Sequence, residues 1–232
     1  MTIYNKEFYE KRHSRTIYAA NTILHNIRNF INFESVVDFG CGVGTWLYSA
    51  EKLGASETLG FEGKWLDTSL YKASGTIKLL NLSEDINLKH RYDLAISLEV
   101  AEHLNESHSE SFVNTLCNAS DNVLFSAAIR GQGGKGHLNE KMQSYWVELF
   151  KKNGYECNDI IRPNIWNDTK IDFWYKQNTF LFTKNKKLNA DGLMPIDIVH
   201  PEQFLIYRYP GFRLILRNIA FLPKKLLKKL LR

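Results

Sequence analysis

Two glutamates and two histidines in the middle of the chain are residue types suited to moving a proton. Glu99, Glu102 and His103 stand at positions i, i+3 and i+4 of the segment EVAEHL. If that segment begins a helix, the spacing places all three side chains on one face. His137 follows a later apolar run and should reach the same edge of a sheet. The pattern therefore predicts a polar cluster with His137 and His103 as candidate catalytic residues.

A glycine-rich turn follows the first strongly apolar run. The segment SVVDFGCGVGTWL carries Asp38 and then Gly40, Gly42 and Gly44 at alternating positions. Glycine permits a tight turn and a close approach of the backbone to a ligand, and the helix that follows begins with unpaired N–H groups. Dinucleotide sites use G-x-G-x-x-G at the same place, whereas the spacing here is G-x-G-x-G.

Three further polar or apolar residues follow the next two runs. Glu62 ends the segment TLGFE, about twenty residues beyond the turn, where an acid can bind ribose hydroxyls. Asn81 and Leu82 come directly after the run KLL. These residues are predicted to share a nucleotide-type site with the glycine turn.

The elements that position these residues alternate between two patterns. Helical spacing occurs at 7–31, 45–53, 107–118 and 140–152, and short β-rich runs occur at 35–39, 57–61, 76–80, 92–97, 121–126 and 178–183. Alternation of this kind predicts parallel βαβ units with helices on both faces of the sheet. The predicted fold class is therefore α/β, with a doubly wound and mostly parallel sheet. Periodicity alone leaves the strand order open.

Across residues 30–184 the chain resembles the class I S-adenosylmethionine-dependent methyltransferases, through the acid and glycine turn, the acid after the second strand and the segment SLEVAEHL. The resemblance implies a Rossmann-like fold with seven strands and S-adenosylmethionine as cofactor. It places Asp38 and the three glycines around the methionine part, Glu62 on the ribose, and Asn81 with Leu82 beside the adenine. Glu62 and Asn81 stand where aspartate is commoner in the family. The competing interpretations are a Rossmann dehydrogenase and a non-catalytic α/β domain.

The second half resembles a subgroup of bacterial methyltransferase-domain proteins, through E-x-x-E-H and the segment GQGGKGHLNE. Members of that subgroup are associated with cell-surface glycan or secondary-product pathways. Arg130 stands where the subgroup has proline, so the local shape of this loop is not fixed by the resemblance.

E-x-x-E-H with a distant histidine also resembles two metal-binding branches of the class, the ubiquinone-pathway O-methyltransferases and the small-RNA 3′-terminal 2′-O-methyltransferases. That resemblance implies a metal site made by Glu99, Glu102, His103 and His137, with Mg²⁺ or Mn²⁺ as the ion. Such an ion holds acceptor hydroxyls and lowers their pKa. Without a metal, His137 is the predicted general base and His103 lines the pocket.

Three functions are compatible with these patterns. The first is an O-methyltransferase that acts on a hydroxyl of a sugar, a nucleotide-sugar or a lipid-linked glycan. The second is a 2′-O-methyltransferase acting on RNA 3′ ends, which would need a basic channel beside the cofactor. The third is a non-catalytic cofactor-binding module, and the retained acids, glycines and histidines argue against it.

The bulk properties favour one α/β domain, predicted at residues 1–185, followed by a linker and extension at residues 186–232. A length of 232 residues is short for two ordinary domains. The three cysteines are scattered and lack zinc-ligand spacing, which is typical of reduced thiols and predicts a cytoplasmic protein. The beginning of the sequence has no secretory pattern, and no apolar run is long enough to span a bilayer.

The net charge of +5 comes from the end of the chain, because residues 203–232 contain eight basic groups and no acid. Residues 1–202 are therefore net acidic, and nucleic acid is not an expected partner. The segment FLPKKLLKKLLR predicts a basic amphipathic helix over residues 223–232. Its expected partner is an anionic membrane surface, which would make the protein peripheral at the inner face of the membrane. A helix docked on the domain and a partner-binding tail are the alternatives, and the sequence leaves the oligomeric state open.

Overall fold

The computed structural model describes residues 6–84, 86–184, 187–188 and 194–208. The chain divides into two compact units, Met1–Ile198 and Val199–Arg232. The first unit holds all the residues predicted to form the site. In the part of the chain that the structure describes, no helix combines the length and apolar character needed to cross a membrane.

A seven-stranded sheet forms the centre of the first unit. The order of its strands is β3-β2-β1-β4-β5-β7-β6. Strands β1 to β5 pair in parallel, and β7 runs antiparallel to both β5 and β6. The predicted fold class, a doubly wound and mostly parallel α/β sheet, is confirmed. The strands are β1 (Ser35–Phe39), β2 (Glu57–Glu62), β3 (Thr76–Leu79), β4 (Leu94–Leu98), β5 (Asn122–Ser126), β6 (Tyr155–Asn158) and β7 (Phe180–Lys184).

The central strands are apolar along their length because helices cover both faces of the sheet. Val36 and Val37 are both fully buried, yet they belong to different hydrophobic clusters. Successive side chains of a strand point to opposite faces, so a strand buried on both faces loses the usual alternation of polar and apolar residues. This explains why the runs at β1, β4 and β5 are recognisable in the sequence.

In the described part of the first unit, six helices pack on the two faces of the sheet. Helices α1, α2, α5 and α6 contribute to the hydrophobic cluster on one face, and α3 and α4 contribute to the cluster on the other. On the second face Phe150 stacks on Phe182 with 3.9 Å between the ring centroids. The helices are α1 (Lys6–Arg28), α2 (Thr45–Lys52), α3 (Ser109–Ala119), α4 (Gln143–Lys152), α5 (Arg162–Ile165) and α6 (Phe173–Asn178).

Residues 195 and 196, which follow β7 in the first unit, contact a buried arginine side chain. Arg162 is fully buried and donates to both carboxylate oxygens of Asp159, at 2.8 and 2.6 Å. Its guanidinium also donates to the backbone oxygens of Pro195 and Ile196, each at 2.9 Å. A buried cation needs partners of this kind to offset its lost hydration.

Residues 197 and 198 contact the start of α4. Asp197 accepts hydrogen bonds from the backbone N–H and the hydroxyl of Ser144, both at 2.8 Å. This supplies an acceptor to the first turn of α4, whose own preceding residue, Met142, makes no side-chain cap. Gln143 Nε2 donates to the backbone oxygen of Ile198 at 2.8 Å. These contacts belong to the first unit, which extends to Ile198.

The second unit contains helix α7 (Pro201–Arg208). The helix predicted over residues 223–232 lies outside the described residues, and it stays a prediction.

Candidate active site

The glycine turn after β1 has a backbone that requires glycine. Gly40, Gly42 and Gly44 have φ angles of +85°, +53° and +76°, in the left-handed region that favours this residue. A Cβ atom on Gly40 would lie 2.4 Å from Cγ2 of Val100. The backbone N–H of Gly40 donates to the oxygen of Phe61 at 2.8 Å, which ties the turn to the end of β2.

Two buried acids lie beside this turn. Glu62 accepts hydrogen bonds from the N–H groups of Gly42 at 2.8 Å and Gly63 at 2.9 Å. Asp38 is buried, and its Oδ2 has no protein partner. Burial raises the pKa of Asp38 well above its usual range, and the charge of Glu62 adds to the shift. The predicted methionine and ribose residues therefore lie together.

Asn81 and Leu82 follow β3 at the same edge of the sheet. The N–H of Leu80 donates to the backbone oxygen of Glu62 at 2.8 Å, so the chain leaves β3 next to Glu62. Asn81 is exposed, and its Oδ1 accepts from the N–H of Ser83 at 3.1 Å. Leu82 packs partly against the hydrophobic core. Asn81 and Leu82 therefore follow a residue that is hydrogen-bonded to the backbone of Glu62.

The exit of β4 differs from the expected helix. Glu99 has a φ angle of +57°, and the segment EVAEHL contains a 3-10 turn, Ala101–His103, in place of an α-helix. The N–H of Glu99 donates to the backbone oxygen and the hydroxyl of Ser126, at 3.0 and 3.2 Å. The expectation that Glu99, Glu102 and His103 share one helical face is therefore wrong, because Glu99 is held at the strand end by β5. Positive φ at a residue other than glycine is uncommon and concentrates at functional sites.

Side-chain amides hold the carboxylate of Glu99. Gln132 Nε2 donates to Oε2 at 2.9 Å, and Asn178 Nδ2 donates to Oε1 at 3.2 Å. Gln132 Oε1 in turn accepts from Asn178 and Gln177, at 2.9 and 3.2 Å. Burial raises the pKa of Glu99, and the hydrogen bonds oppose that shift. Gln132 was not predicted as a site residue, although an amide inside the GQGGKGHLNE segment was a signal for a hydrogen-bonding role.

Glu102, His103 and His137 form a compact cluster. Each offers one ligand atom, and these atoms all lie within 4.8 Å of one another. His137 Nε2 is 3.9 Å from Glu102 Oε1, and the two imidazole rings meet edge to face with 4.9 Å between centroids. Three of the four predicted metal ligands are therefore brought together, and Glu99 lies outside this cluster.

The carboxyl group of Glu102 is only partly compensated, by backbone hydrogen bonds and the charge of Arg12. Glu102 is 1% exposed, and its Oε2 has no hydrogen-bond partner. Burial raises the pKa of Glu102 well above its usual range, and the charge of Glu99 adds to the shift. A buried carboxylate in this setting requires either a proton or a cation close to it.

Both histidines of the cluster direct Nδ1 at an acceptor. His103 Nδ1 is 3.2 Å from the backbone oxygen of Gly136, and His137 Nδ1 is 2.8 Å from Glu140 Oε1. Carbonyl and carboxylate oxygens only accept, so Nδ1 carries the proton in each neutral ring and Nε2 keeps its lone pair. Burial lowers the pKa of His103, and the charge of His137 adds to the shift.

This donor set fits a divalent cation. Metal-binding histidines usually donate the other ring N–H to a carboxylate or a backbone carbonyl, as His103 and His137 do. The unpartnered oxygen of Glu102 adds a buried negative ligand. The same geometry also makes His137 Nε2 available as a base when no cation is bound.

A positive group on α1 faces these acids. Loss of hydration lowers the pKa of Arg12, but attraction to Tyr175, Glu99 and Glu102 is stronger and raises it overall. Arg12 therefore belongs to the electrostatic environment of the site, although it was not among the predicted site residues.

The comparisons with known proteins bear on the fold. No family model matches the chain, and no curated protein matches it by sequence. Among solved structures, the magnesium protoporphyrin IX methyltransferase ChlM from Synechocystis PCC 6803, with bound SAH, is 17% identical, with 74% of this chain and 83% of that chain covered and a TM-score of 0.55. The same enzyme with bound SAM is 18% identical, with coverages of 74% and 79% and a TM-score of 0.54.

The methyltransferase domain of bacterial CtHen1-C is also 18% identical, with 74% of this chain and 100% of that chain covered and a TM-score of 0.53. The likeness to these solved structures shows that the protein has the Rossmann-like fold of the class I methyltransferases.

Proposed function

We propose that this protein is an S-adenosylmethionine-dependent methyltransferase that methylates a hydroxyl oxygen. The observation that carries the proposal is the presence of two sites at one edge of the sheet. The glycine turn follows β1 and the Glu102 cluster follows β4, and these strands are neighbours. Parallel strands place their carboxyl ends at the same edge, where α/β sites form. The fold shared with a methyltransferase crystallised with SAM supports the assignment.

The proposed cofactor site consists of the acids and the glycine turn. Asp38 and the three glycines surround the methionine part, Glu62 accepts from the ribose hydroxyls, and Asn81 with Leu82 borders the adenine. Glu62 already accepts from two N–H groups, and its carboxylate has lone pairs left for a ribose.

S-adenosylmethionine supplies an electrophilic methyl group and a good leaving group when it is bound. The protein must therefore align the acceptor and remove its hydroxyl proton. When no cation is bound, His137 is the proposed base, because Glu140 holds the proton on Nδ1 and leaves the lone pair of Nε2, on the side of Glu102, to accept a proton. Glu99, fixed by two amides, lines the acceptor side of the site.

Glu102, His103 and His137 are also proposed to hold a divalent cation, which would lower the pKa of an acceptor hydroxyl when bound. Two imidazoles and one carboxylate suit Mn²⁺ and other first-row metals better than Mg²⁺, which prefers oxygen ligands. Glu99 is not in the three-residue cluster, so this proposal narrows the four predicted ligands to three.

The proposed acceptor is a hydroxyl of a sugar, a nucleotide-sugar or a lipid-linked glycan. The fixed groups beside the proposed base are the carboxyl groups of Glu99 and Glu102. Residues 1–202 are net acidic, which disfavours the basic channel that an RNA backbone would need, so a neutral polyhydroxyl segment is the better-suited acceptor. A phosphate further along the acceptor is compatible with the same argument.

Calorimetry tests the cofactor proposal. The purified protein should bind S-adenosylmethionine and S-adenosylhomocysteine, and Glu62→Ala should weaken binding by about 1–3 kcal/mol because charged hydrogen bonds are lost. Glu57→Ala, at the exposed start of the same strand, is the matched control and should bind normally. Absence of binding by well-folded wild type would contradict the central proposal.

A methyl-transfer screen tests the acceptor. Radiolabelled S-adenosylmethionine should label sugar nucleotides or lipid-linked glycans in alkali-stable ether linkage, and short RNAs should remain unlabelled. Labelling of RNA 3′ ends alone would replace the glycan acceptor with RNA.

Chelation tests the cation. Turnover should be lost in excess chelator and return at lower concentrations of Mn²⁺ than of Mg²⁺. Glu102→Gln should lose turnover while it still binds the cofactor. Full turnover in excess chelator would remove the metal from the proposal and leave His137 as a simple base.

A further inference from the structure

The carboxylate of Glu140 joins three groups of one loop. Its Oε1 accepts from His137 Nδ1 at 2.8 Å and from the N–H of Gly133 at 2.9 Å, and its Oε2 accepts from the N–H of Gly131 at 2.8 Å. Gly131 and Gly133 have φ angles of +83° and +71°. One carboxylate therefore holds both the glycine-rich backbone and the imidazole.

The same loop is attached directly to Glu102. The backbone N–H groups of Leu138 and Asn139 both donate to the backbone oxygen of Glu102, at 2.8 and 3.0 Å. Glu140 orients the imidazole of His137, and these two bonds fix the loop relative to Glu102. The distance between Nε2 of His137 and the carboxyl group of Glu102 is thus set from two sides.

The packing leaves little freedom for His137. A Cβ atom on Gly134 would lie 2.1 Å from Nε2 of the imidazole, so the ring lies directly against the loop backbone. Rotation of the ring would break its bond to Glu140. Neutral histidine has two tautomers, and only the form protonated on Nδ1 keeps this bond.

We propose that Glu140 is the positioning residue of the site: it holds His137 in the Nδ1-protonated tautomer and fixes the loop so that Nε2 faces Glu102. Its role in methyl transfer rests on the function proposed above. The orientation of His137 and the geometry of the loop do not depend on that function and are measurable in the free protein.

Three variants test the proposal. Glu140→Gln retains one acceptor oxygen, which can serve His137 and Gly133, but turns an N–H donor toward Gly131. Glu140→Ala removes all three bonds. Glu106→Gln is the control, because Glu106 is 60% exposed and pairs with Lys141 on the adjacent surface.

Two measurements on the protein without cofactor or acceptor test the role of Glu140. ¹⁵N NMR of the imidazole at alkaline pH reports the tautomer, and EPR titration with Mn²⁺ alone reports cation affinity. We expect Glu140→Gln to keep the tautomer and lose about 10-fold in Mn²⁺ affinity, and Glu140→Ala to mix the tautomers and lose about 100-fold, as supporting residues of metal sites do. Glu106→Gln should match wild type in both.

Either of two results overturns the proposal. One is an unchanged His137 tautomer in Glu140→Ala, and the other is a Mn²⁺ affinity of Glu140→Gln equal to that of wild type. If Glu140→Ala does not fold, the affinity of Glu140→Gln decides. If wild type binds no Mn²⁺, the cation of the proposed function fails, and the tautomer in Glu140→Ala still decides the role of Glu140. If that variant also does not fold, hydrogen exchange at Gly131 in Glu140→Gln decides: faster exchange supports the role and unchanged exchange excludes it.

Discussion

Glu99 and Glu102 are three residues apart and have opposite surroundings. Two amides donate to the carboxylate of Glu99, whereas Oε2 of Glu102 has no partner. Hydrogen bonds to a carboxylate favour its charged form, and burial without them favours the neutral form. Burial raises the pKa of both carboxyl groups, and it does so more strongly at Glu102. A bound cation would therefore favour the ionised form of Glu102 in particular.

The effect of burying a carboxyl group can be tested at Asp38 through the pH dependence of protein stability. Because folding raises the pKa of Asp38, this carboxyl group ionises first in the unfolded chain as pH rises. The free energy of unfolding therefore decreases between the pKa of the unfolded state and the higher pKa of the folded state. Asp38→Asn removes this loss and should stabilise the ligand-free protein against unfolding at neutral pH. Urea unfolding across pH measures the difference between variant and wild type, which should vanish under acidic conditions.

Asp93 is the control of opposite sign. Its burial is outweighed by hydrogen bonds from Glu34 and Ser35, which lower the pKa of Asp93 overall. Its contribution to stability is present above the unfolded pKa and is lost as pH falls through the folded one. Asp93→Asn should therefore destabilise at neutral pH. The same sign for both variants would contradict the role assigned to burial at Asp38.

At the scale of elements, a methyl group added to the glycine turn can lower stability in two ways, through positive φ and through a steric contact. Gly40→Ala suffers from positive φ and from contact with Val100, whereas a Cβ on Gly42 has no atom within 4 Å. Positive φ costs about 1–3 kcal/mol, and overpacking adds about 1–3 kcal/mol. In urea unfolding of the ligand-free protein, Gly40→Ala should therefore be destabilised more than Gly42→Ala.

The double variant Gly40→Ala with Val100→Ala isolates the contact. Removal of the two Val100 methyl groups should recover part of the loss relative to Val100→Ala alone, and leave the cost of positive φ. No recovery would mean that the backbone, and not the contact with Val100, determines the requirement for glycine at this position.

Elements differ in how far the sequence predicts them. The central strands were recognisable because they are buried on both faces, and the glycine turn because its residue type is required. β6 was not, since Tyr155–Asn158 is a four-residue edge strand that contains only Tyr155 as a large apolar residue. Long-range bonds are likewise invisible to periodicity, and for that reason the β5 contact that turns Glu99 out of a helix, and the Glu140 bonds, were missed.

For the whole molecule, residues 223–232 remain a proposed membrane contact, on a segment outside the described residues. Each basic residue near an anionic surface is worth about 1 kcal/mol, and leucines on the opposite face add apolar burial. Deletion of residues 223–232 should reduce cosedimentation with anionic vesicles at low salt and leave transfer to a soluble acceptor nearly unchanged.

A charge-neutral tail separates the two contributions. Replacement of the four lysines at 224, 225, 228 and 229 by glutamine should weaken binding to anionic vesicles and leave any binding to zwitterionic ones unaltered. Equal vesicle binding by the full-length and shortened proteins would exclude the membrane contact.

The buried guanidinium of Arg162 has a practical consequence for where the chain can be shortened. A protein ending at residue 185 would retain Arg162 and Asp159 but remove the carbonyl groups of Pro195 and Ile196. The start of α4 would also lose Asp197. Since a buried donor left without its acceptor costs about 1–3 kcal/mol, that fragment should unfold at lower urea concentration than one ending at residue 198. Equal urea midpoints for the two fragments would contradict this expectation. If the midpoints differ as expected, the fragment of residues 1–198 is the one to use for expression and ligand soaking.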